Sequence, residues 1–367
     1  MENNLSLEII LFEISSKCTN CKDCVKACAF LYKYGTPKEI ADRYDPGNPN
    51  HRTLPFECTL CRLCEAVCPV KINPGQMFLA MRREAVKNGA VDLRRYKKIL
   101  NYEKRGISNR FTYYHLPDNC DTIFFPGCSL PGTRPDKTLW AYHYLQSKIE
   151  SLGIIFDCCM TPSHNLGRQG YFEKVFFKKR DFILQQGVKK VIVACPNCHQ
   201  ILMSYGGDLI VKTIYEFMAD NNVPVTSHGQ DEVTIHDPCA LRFKKEVHDA
   251  VRRLIKSRGL TISEMPSHGH RTLCCCEGGT VEPVSPQMTD QWRKRIRSEA
   301  DGRNVITYCA GCVKSLSRLT DITHILDLGF DSVKQSSSMT TIYRTPIPYL
   351  NRLWLISKIK KENKKHR

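Results

Sequence analysis

Cysteine is the residue type through which this chain could do chemistry. The 367 residues include 20 cysteines, far more than an average protein carries. Three of them are adjacent, Cys274-Cys275-Cys276, which side-chain packing does not explain. The N-terminus lacks the basic and apolar segments of a secretory signal, so we expect a reducing cytoplasm, where dense cysteine is typical of metal binding rather than of disulfides. The sequence therefore predicts several metal centres held by thiolates.

The first 95 residues contain two cysteine runs of the same spacing. They follow Cys-x2-Cys-x2-Cys-x3-Cys at Cys18, Cys21, Cys24 and Cys28, and at Cys58, Cys61, Cys64 and Cys68, where Pro69 follows. This spacing matches bacterial two-cluster ferredoxins, in which the fourth cysteine of each run crosses to the other cluster. We expect two cubane [4Fe–4S] clusters, one on Cys18, Cys21, Cys24 and Cys68, the other on Cys58, Cys61, Cys64 and Cys28. Two structural zinc knuckles are the alternative; Ala29, in place of the usual proline, removes no ligand.

The cysteines of the remaining chain form an internal repeat. A lone cysteine, a cysteine pair and a Cys-x2-Cys occur twice, as Cys128, Cys158-Cys159, Cys195 and Cys198, and as Cys239, Cys274-Cys275, Cys309 and Cys312. Corresponding cysteines lie 111 to 116 residues apart. A repeat whose shared content is thiol predicts a duplicated metal-cluster scaffold.

Apolar segments place these cysteines at strand ends. We predict strands at 122–125, 190–194, 233–236 and 304–308. The predicted helices lie at 37–43, 74–88, 135–151, 244–257 and 286–300. In the repeats, short apolar strands alternating with helices indicate parallel sheets buried by helices, and ligands on such sheets gather at the carboxyl ends of the strands. A helix that begins within Cys-x2-Cys would favour the thiolate form through its free N–H groups.

This order of motifs resembles the cysteine-rich CCG-domain proteins. They include catalytic subunits of heterodisulfide reductase and iron–sulfur subunits of anaerobic glycerol-3-phosphate and glycolate dehydrogenases. A ferredoxin unit followed by two CCG repeats is most similar to the ferredoxin-fused heterodisulfide reductase subunit. The resemblance implies two further, noncubane [4Fe–4S] clusters, one on Cys128, Cys158, Cys159, Cys195 and Cys198, the other on Cys239, Cys274, Cys275, Cys309 and Cys312. A zinc ion or a single ordinary cluster in each repeat is the alternative.

Two positions depart from the family pattern. The glycine that follows Cys-Cys in the family is Met160 in the first repeat and Cys276 in the second. Glycine permits backbone conformations that methionine and cysteine adopt only at a cost. We therefore expect that these loops could differ from the family and that Cys276 could compete as a ligand.

The resemblance also implies a reaction. A disulfide placed between the two noncubane clusters would be split, each sulfur being captured by an iron, with electrons arriving through the ferredoxin clusters. The ten repeat cysteines would then be the catalytic residues. His164, His199 and His236 lie beside them and are candidate proton donors, although each could equally be a hydrogen-bond partner or a packing residue. Cys120 fits no motif and is expected to be a buried free thiol.

The predicted architecture is an α+β multidomain protein. A helix-rich two-cluster ferredoxin domain precedes a duplicated α/β cysteine-rich (CCG) domain. The predicted boundaries are 1–95 for the ferredoxin domain, 96–119 for a basic and aromatic linker, 120–230 and 231–334 for the two CCG repeats, and 335–367 for a second linker and a basic amphipathic tail.

Charge and the tail indicate possible partners. The formal charge of +17 counts every cysteine as neutral, and bound thiolates lower it. Apolar residues at 350, 353, 356 and 359 predict an amphipathic helix that could lie on an anionic membrane surface or dock on a subunit; packing on its own domain is the alternative. No apolar run of about 18 residues is present, and no nucleic-acid-binding motif is visible. We expect a cytoplasmic protein, or one peripheral on the inner face of the cell membrane, that does not bind nucleic acid.

Two functions fit this sequence. The first is an oxidoreductase subunit that reduces a disulfide, or oxidises thiols, at the CCG clusters. The second is a non-catalytic electron-transfer subunit that links a flavin dehydrogenase to quinone. A structural zinc protein is a third hypothesis, which the cysteine pattern fits less well. No nucleotide-binding fingerprint is visible, so we expect a redox partner subunit, a flavoprotein or a membrane cytochrome.

Overall fold

The computed structural model describes residues 6–223, 231–329 and 345–365. Within these ranges, no helix combines the length and the apolar character that crossing a membrane requires. Of the second linker and tail predicted at 335–367, residues 335–344, 366 and 367 lie outside the described residues, as does the N-terminal segment 1–5.

The N-terminal unit is built from short helices. They are α1 (Leu7–Lys17), α2 (Asp23–Ala27), α3 (Ala29–Tyr34), α4 (Pro37–Arg43), α5 (Pro49–Thr53), α6 (Leu63–Ala66), α7 (Pro74–Lys87) and α8 (Lys97–Gly106), with 3₁₀ turns at Leu54–Glu57 and Leu93–Tyr96. Proline begins α4, α5 and α7, where its missing N–H is not needed. Thr36 and Glu39 form a capping box that fixes the start of α4. The helix predicted at 37–43 is confirmed, and the one predicted at 74–88 ends one residue early.

The first repeat is a five-stranded sheet covered by helices. Its elements are β1 (Tyr113–His115), β2 (Thr122–Phe125), α9 (Ser129–Thr133), α10 (Pro135–Gln146), β3 (Leu152–Phe156), α11 (Thr161–Asn165), α12 (Gln169–Gln185), β4 (Lys190–Val193), α13 (Pro196–Tyr205), β5 (Ile210–Thr213) and α14 (Ile214–Asp220). The strand order is β1-β3-β2-β4-β5, and only the edge strand β1 is antiparallel. The helix predicted at 135–151 is wrong at its end, because α10 stops at Gln146 and the chain then turns into the buried strand β3.

The second repeat has the same topology. Its elements are β6 (Glu232–His236), α15 (Lys245–Ser257), β7 (Thr261–Ile262), α16 (Pro286–Ala300), β8 (Asn304–Thr307), α17 (Ala310–Leu316) and β9 (Ile322–His324), with 3₁₀ turns at Cys239–Leu241, Gly269–Arg271 and Ile325–Leu328. The parallel order β7-β6-β8-β9 reproduces β3-β2-β4-β5. The repeat in cysteine spacing is therefore a repeat of the fold.

The apolar cores join these units unequally. One core is shared by the ferredoxin unit and the second repeat, with Phe78 and Met81 packed in the same cluster as Trp292 and Leu316. A second lies between the two repeats. A third belongs to the first repeat alone. A small fourth cluster packs Leu166 of the first repeat against Phe56 and Tyr96. Burial of apolar surface therefore ties the ferredoxin unit to both repeats, and more extensively to the second.

The tail forms α18 (Ile347–Lys365) and packs on the protein. Leu355, Ile356 and Ile359 are buried in the core between the repeats, whereas Leu350 and Trp354 are 56% and 49% exposed. The predicted apolar stripe is thus buried only in its C-terminal half. Leu355, Ile356 and Ile359 therefore pack as the alternative prediction has it, in which the helix packs on its own domain.

Candidate iron–sulfur sites

Two loops of related conformation carry the N-terminal cysteines. Asn20 and Lys22 in the first loop have φ of 57° and 66°, and Leu60 and Arg62 in the second have 54° and 58°. Non-glycine residues adopt positive φ uncommonly, so the same pattern in both loops indicates a shared requirement. Alternating left-handed residues turn successive backbone N–H groups inward and form a concave anion site of the kind that holds iron–sulfur clusters.

The four cysteines predicted for one cubane cluster lie together near the surface. This outer ferredoxin set comprises Cys18, Cys21, Cys24 and Cys68, which line one cavity. Cys21 is exposed. Burial raises the pKa of Cys24 to about 12, and the neighbouring thiols of Cys18, Cys21 and Cys68 contribute to the rise. Thiols that crowd in this way lose their protons only when a cation compensates, which bound iron would do.

The other predicted four lie deeper. This inner ferredoxin set comprises Cys28, Cys58, Cys61 and Cys64, and the last three are buried. Burial raises the pKa of Cys28 to about 12, with a further contribution from Cys61. Cys58 lies against Cys28 and Cys61, and Cys64 lies against all three. Cys28 of the first run thus lies among cysteines of the second run, and Cys68 lines the cavity of the first run. Cys64 lines that cavity as well, so the crossed division of ligands stays a prediction from the ferredoxin spacing.

In each repeat, neighbouring strands deliver cysteines to one edge of the sheet. Cys128, Cys158 and Cys195 follow the ends of β2, β3 and β4, which are adjacent and parallel. Parallel neighbours end at the same edge, so the cysteines converge there. We call the resulting group the first site; it comprises Cys128, Cys158, Cys159, Cys195 and Cys198. The second site comprises Cys239, Cys274, Cys275, Cys309 and Cys312. Cys239 and Cys309 follow the ends of β6 and β8, whereas eleven residues separate the end of β7 from Cys274.

The sulfur atoms pair identically at the two sites. In the second site the Cys239 and Cys274 Sγ atoms are 3.7 Å apart, those of Cys275 and Cys312 are 3.3 Å apart, and Cys309 contacts Cys312. In the first site the contacts are Cys128 with Cys158, Cys159 with Cys198, and Cys195 with Cys198. Five gathered thiols, most of them buried, form a donor set that fits an iron–sulfur cluster.

The Cys-x2-Cys motifs span helix starts, as the sequence predicts. Cys195 is the N-cap of α13, and Cys309 is the N-cap of α17. The Cys312 thiol lowers the pKa of Cys309, and backbone N–H groups of Cys312 and Gly311 lower it further. This is the effect expected of free N–H groups at a helix start.

The two residues in the family's glycine position adopt a conformation that glycine favours. Met160 has φ of 65° and Cys276 has φ of 68°. The backbone takes the same left-handed turn at this position in both repeats, and the expectation that these loops could differ from those of the family stays a prediction. The Cys276 side chain is buried, and its thiol lies within hydrogen-bond reach of the Cys274 thiol of the second site.

The ferredoxin unit covers the second site. The Cys61 thiol lies within hydrogen-bond reach of the Cys274 thiol. A Cβ added to Gly279 would lie 2.3 Å from the Thr59 carbonyl oxygen, so only glycine permits this approach of the two backbones. The inner ferredoxin set and the second site are therefore in sulfur-to-sulfur contact.

Arg82 fixes this junction. Its side chain is fully buried and donates hydrogen bonds to four backbone carbonyls, those of Pro55, Cys58, Asn165 and Gly279. These carbonyls belong to the ferredoxin unit and to the cysteine-pair loops of both repeats. One side chain of α7 thus holds all three units in register.

Different elements cover the first site. A Cβ added to Gly106 of α8 would lie 3.1 Å from the Cys158 Cβ atom. Arg352 of α18 lies within hydrogen-bond reach of the Cys128 thiol, and Tyr102 of α8 lies close to both. The Cys158 thiol and then Arg352 lower the pKa of Cys128 to about 6. Residues from the predicted linker and tail therefore complete this site.

Each site also has a buried aspartate in a cysteine loop. Asp157 accepts hydrogen bonds from the backbone N–H of Cys158 at 2.6 Å and from Tyr114, and pairs with Lys179 at 2.8 Å. In the second site, Asp237 precedes Pro238-Cys239 and accepts from the Arg252 guanidinium, the Tyr308 hydroxyl and the Gly269 N–H. Burial favours the neutral acid, but Arg252 lowers the pKa of Asp237, which stays charged. These aspartates hold the cysteine loops in place.

The three candidate histidines differ in their surroundings. His164 is a hydrogen-bond partner of Asn165 and Tyr205, at 2.8 and 3.0 Å. Burial lowers the pKa of His199 and of His236 to about 4, so both are neutral at pH 7. Both ring nitrogens of His236 lack a partner among the described residues, and the ring lies against Cys275 and Cys312. Neutral imidazoles are poor proton donors, which weakens this predicted role.

The two sites are joined across the repeat interface. The Asn165 amide, which follows the first cysteine pair, donates to the Gly278 carbonyl at 2.9 Å. The Tyr215 hydroxyl donates to the carbonyls of Ala194 and Tyr308, the residues before the two Cys-x2-Cys motifs. The cysteine loops of the two repeats therefore contact each other.

Sequence reasoning missed several residues of these sites. Asp237 could have been found from its place beside Cys239, since a charge next to a strand end is a simple signal. Arg82 and Arg352 gave no such signal, because they lie far from the repeat cysteines in sequence. Cys120 is buried, as predicted, and its thiol donates to the Thr122 carbonyl at 3.2 Å.

Comparison with known families agrees with this arrangement. Residues 17–73 match the model of a 4Fe-4S dicluster domain, and residues 122–203 and 233–317 match the model of the cysteine-rich (CCG) domain. The chain belongs to the CCG-domain iron–sulfur proteins. The second CCG match ends at residue 317, so α18 lies beyond the family model.

Curated relatives of this CCG-domain protein are distant. It is 23% identical to a subunit of the dihydromethanophenazine:CoB–CoM heterodisulfide reductase of Methanosarcina mazei, over 76% of this chain and 81% of that one. It is 22% identical to an EtfAB:quinone oxidoreductase of Syntrophomonas wolfei, over 61% of this chain and 36% of that one. A probable membrane-anchored ferredoxin of Chromohalobacter salexigens is 21% identical over 71% of this chain and 44% of that protein. The CCG-domain chain thus spans most of the first relative but less than half of the other two.

Proposed function

We propose that this chain is an iron–sulfur oxidoreductase subunit that passes electrons inward from the ferredoxin unit to the CCG sites, where two electrons and two protons reduce a disulfide to two thiols. In the reverse direction two thiols are oxidised to a disulfide, and the electrons leave through the ferredoxin unit. The outer and inner ferredoxin sets would each hold a cubane [4Fe–4S] cluster, and the first and second sites would each hold a noncubane one. When bound, these clusters supply one-electron transfer and Lewis-acidic iron for a thiolate.

The contact between Cys61 and Cys274 is the observation that carries this proposal. It joins a cysteine of the inner ferredoxin set directly to one of the second site. The exposed Cys21 in the outer set offers the entry point for a redox partner subunit. Electrons would then pass from the outer set to the inner set, to the second site and across the repeat interface to the first site.

The residues around the sites have roles in this scheme. Asp157 and Asp237 orient the cysteine loops through the hydrogen bonds that they accept. Arg82 keeps the ferredoxin loop against the second site. With His199 and His236 neutral, protons for released thiolates would come from solvent or from the substrate itself.

Similarity favours disulfide chemistry but leaves a second candidate. Both five-cysteine sets are complete, and a relative that this chain covers over most of its length is a heterodisulfide reductase component. Similarity to an EtfAB:quinone oxidoreductase favours the alternative, in which the chain relays electrons between a flavoprotein and quinone. Association of the basic tail with a membrane surface belongs to that alternative, although the apolar residues Leu355, Ile356 and Ile359 already pack on the chain itself.

Anaerobic purification with iron and sulfide counts, followed by EPR during titration with thiols, tests the proposal. We expect about sixteen irons per chain and a paramagnetic signal that appears only with thiol. About eight irons and no such signal would contradict the disulfide reaction and favour relay through ferredoxin clusters alone. A matched sample treated with an alcohol analogue of the thiol controls for nonspecific effects.

A further inference from the structure

Arg352 is a buried cation that the CCG repeats do not supply. It lies on α18, beyond the residues that match the family model, and its side chain is 4% exposed. Burying a guanidinium without an anionic partner is strongly unfavourable. The Arg352 guanidinium therefore requires an anion or hydrogen-bond acceptors at this position.

The groups that face Arg352 are those of the first site. They are the thiols of Cys128 and Cys158 and the phenol of Tyr102. Two of the guanidinium nitrogens, Nε and Nη2, have no hydrogen-bond partner among the described residues. Because guanidinium donors are held in a rigid fork, these N–H groups are available to an anion bound by the same cysteines.

We propose that Arg352 is a residue of the first site, where its guanidinium donates hydrogen bonds to the bound iron–sulfur cluster and stabilises the reduced form. One-electron reduction adds a negative charge to the cluster, and a cation a few ångströms away in a buried setting favours that form. The second site has a different cover, the ferredoxin unit, so the effect is confined to the first site. This inference rests on the proposed presence of a cluster there.

The second site has no matching tail residue among those that the structure describes. Its nearby buried arginine, Arg242, donates to the backbone carbonyls of Cys61 and His270. The Nη2 atom of Arg242 has no partner among the described residues, and Arg293 interacts with the thiols of Cys275 and Cys276. The second site therefore has positive charge near it from its own repeat, whereas the first site receives Arg352 from the tail.

Redox titration followed by EPR on the cluster-loaded full chain tests this inference. In Arg352→Gln we expect the first-site oxidised-to-reduced ratio at a fixed potential to rise at least tenfold, which is 59 mV for a one-electron couple. Arg352→Lys keeps the charge and should shift much less. Lys358→Gln, at an exposed position of the same helix, is the matched control and should leave every signal unchanged. The variant Cys159→Ala identifies which signal belongs to the first site.

The remaining outcomes also decide the question. Loss of first-site iron in Arg352→Gln but not in Arg352→Lys would support the proposal, since a cation would then be needed to hold the cluster. An unchanged potential in Arg352→Gln at full iron content would overturn it. Equal shifts or equal iron loss in both Arg352 variants, or a shift in Lys358→Gln, would overturn it as well. Absence of first-site iron in the unaltered protein would instead refute the proposed function, which separates the two failures.

Discussion

The two CCG repeats share a fold and a pattern of sulfur contacts but differ in what covers their cysteines. The second site lies against the ferredoxin unit, where Cys61 meets Cys274 and Gly279 packs on Thr59. The first site lies under α8 and α18. The two repeats therefore hold equivalent donor sets, and the elements that flank the repeats in the chain make the two sites unequal. Under the proposed function, this difference predicts that electrons enter at the second site and that the first site is the terminal one.

The largest expected effect comes from removing one ligand in each repeat. Cys275→Ala should abolish electron delivery to both sites, because the second site lies on the route, whereas Cys159→Ala should disable only the first. Each variant should lose about four irons. EPR after reduction through the ferredoxin unit measures both effects. Reduction of the first site in Cys275→Ala at the normal rate would remove the distinction between the repeats.

The junction at Arg82 should show the largest effect on stability. Arg82→Met leaves four buried carbonyls without their donor, and we expect a loss of at least about 3 kcal/mol in the free energy of unfolding. The matched control is Arg94→Met, at a side chain that is 90% exposed, where a change within about 0.5 kcal/mol is expected. Urea unfolding of the loaded proteins gives both values. A small effect at Arg82 would mean that the three units are held by their apolar cores alone.

The contact of Gly279 with Thr59 offers a test specific to the second site. In Gly279→Ala the new methyl group would clash with a backbone carbonyl, so the ferredoxin loop must move away. We expect slower electron transfer into the second site at full iron content. Gly170→Ala is the control, because nothing lies within 4 Å of the added methyl group, and in α12 it should stabilise by roughly 0.5–1 kcal/mol. Equal transfer rates in the two variants would argue against a route through this contact.

Met160 and Cys276, which follow the cysteine pairs and have a left-handed backbone conformation, allow a further comparison of the two repeats. Met160→Gly relieves backbone strain of about 1 kcal/mol but empties a fully buried volume, so we expect net destabilisation by about 2 kcal/mol. Cys276→Gly removes less volume, and the free energy of unfolding should change by less than about 1 kcal/mol. Iron content in Cys276→Gly decides whether Cys276 is a ligand. Loss of iron there would place Cys276 among the second-site donors.

The smallest expected effect is one of pH. The pKa of His236 is lowered to about 4 by burial, so the unfolded chain takes up this proton below about pH 6.5 while the folded chain does not. The stability linked to His236 is thus complete above pH 6.5 and is lost as pH falls toward 4. His236→Phe, which copies Phe125 of the first repeat, should reduce the stability loss between pH 7.5 and 5.5 by about 1 kcal/mol. An unchanged slope in urea unfolding would contradict the assignment.

Much of the scaffold could be predicted because its signals are local. Each of these signals depends only on residues that are close in sequence. They are the cysteine spacing, the apolar runs of β2, β4, β6 and β8, and the prolines that begin helices. Strand β3 is absent from the prediction because a short apolar run that closely follows a helix carries no clear period of its own.

The elements that pack over the two sites could not be predicted, because they depend on contacts between segments that are distant in sequence. Arg352 meets Cys128 across more than two hundred residues, and Arg82 meets Gly279 across 197. Neither arginine stands out in sequence from the many exposed basic residues. The apolar stripe of α18 is visible in the sequence, but only the fold shows that the core between the repeats buries part of it.

The order in which the CCG sites are reduced tests the central claim most directly. Rapid-freeze EPR after mixing the loaded protein with a one-electron reductant follows each signal, with Cys159→Ala and Cys275→Ala identifying the first and second sites. We predict that the second-site signal changes first and that the first-site signal follows. Reduction of the first site before the second would contradict entry of electrons through the contact between Cys61 and Cys274.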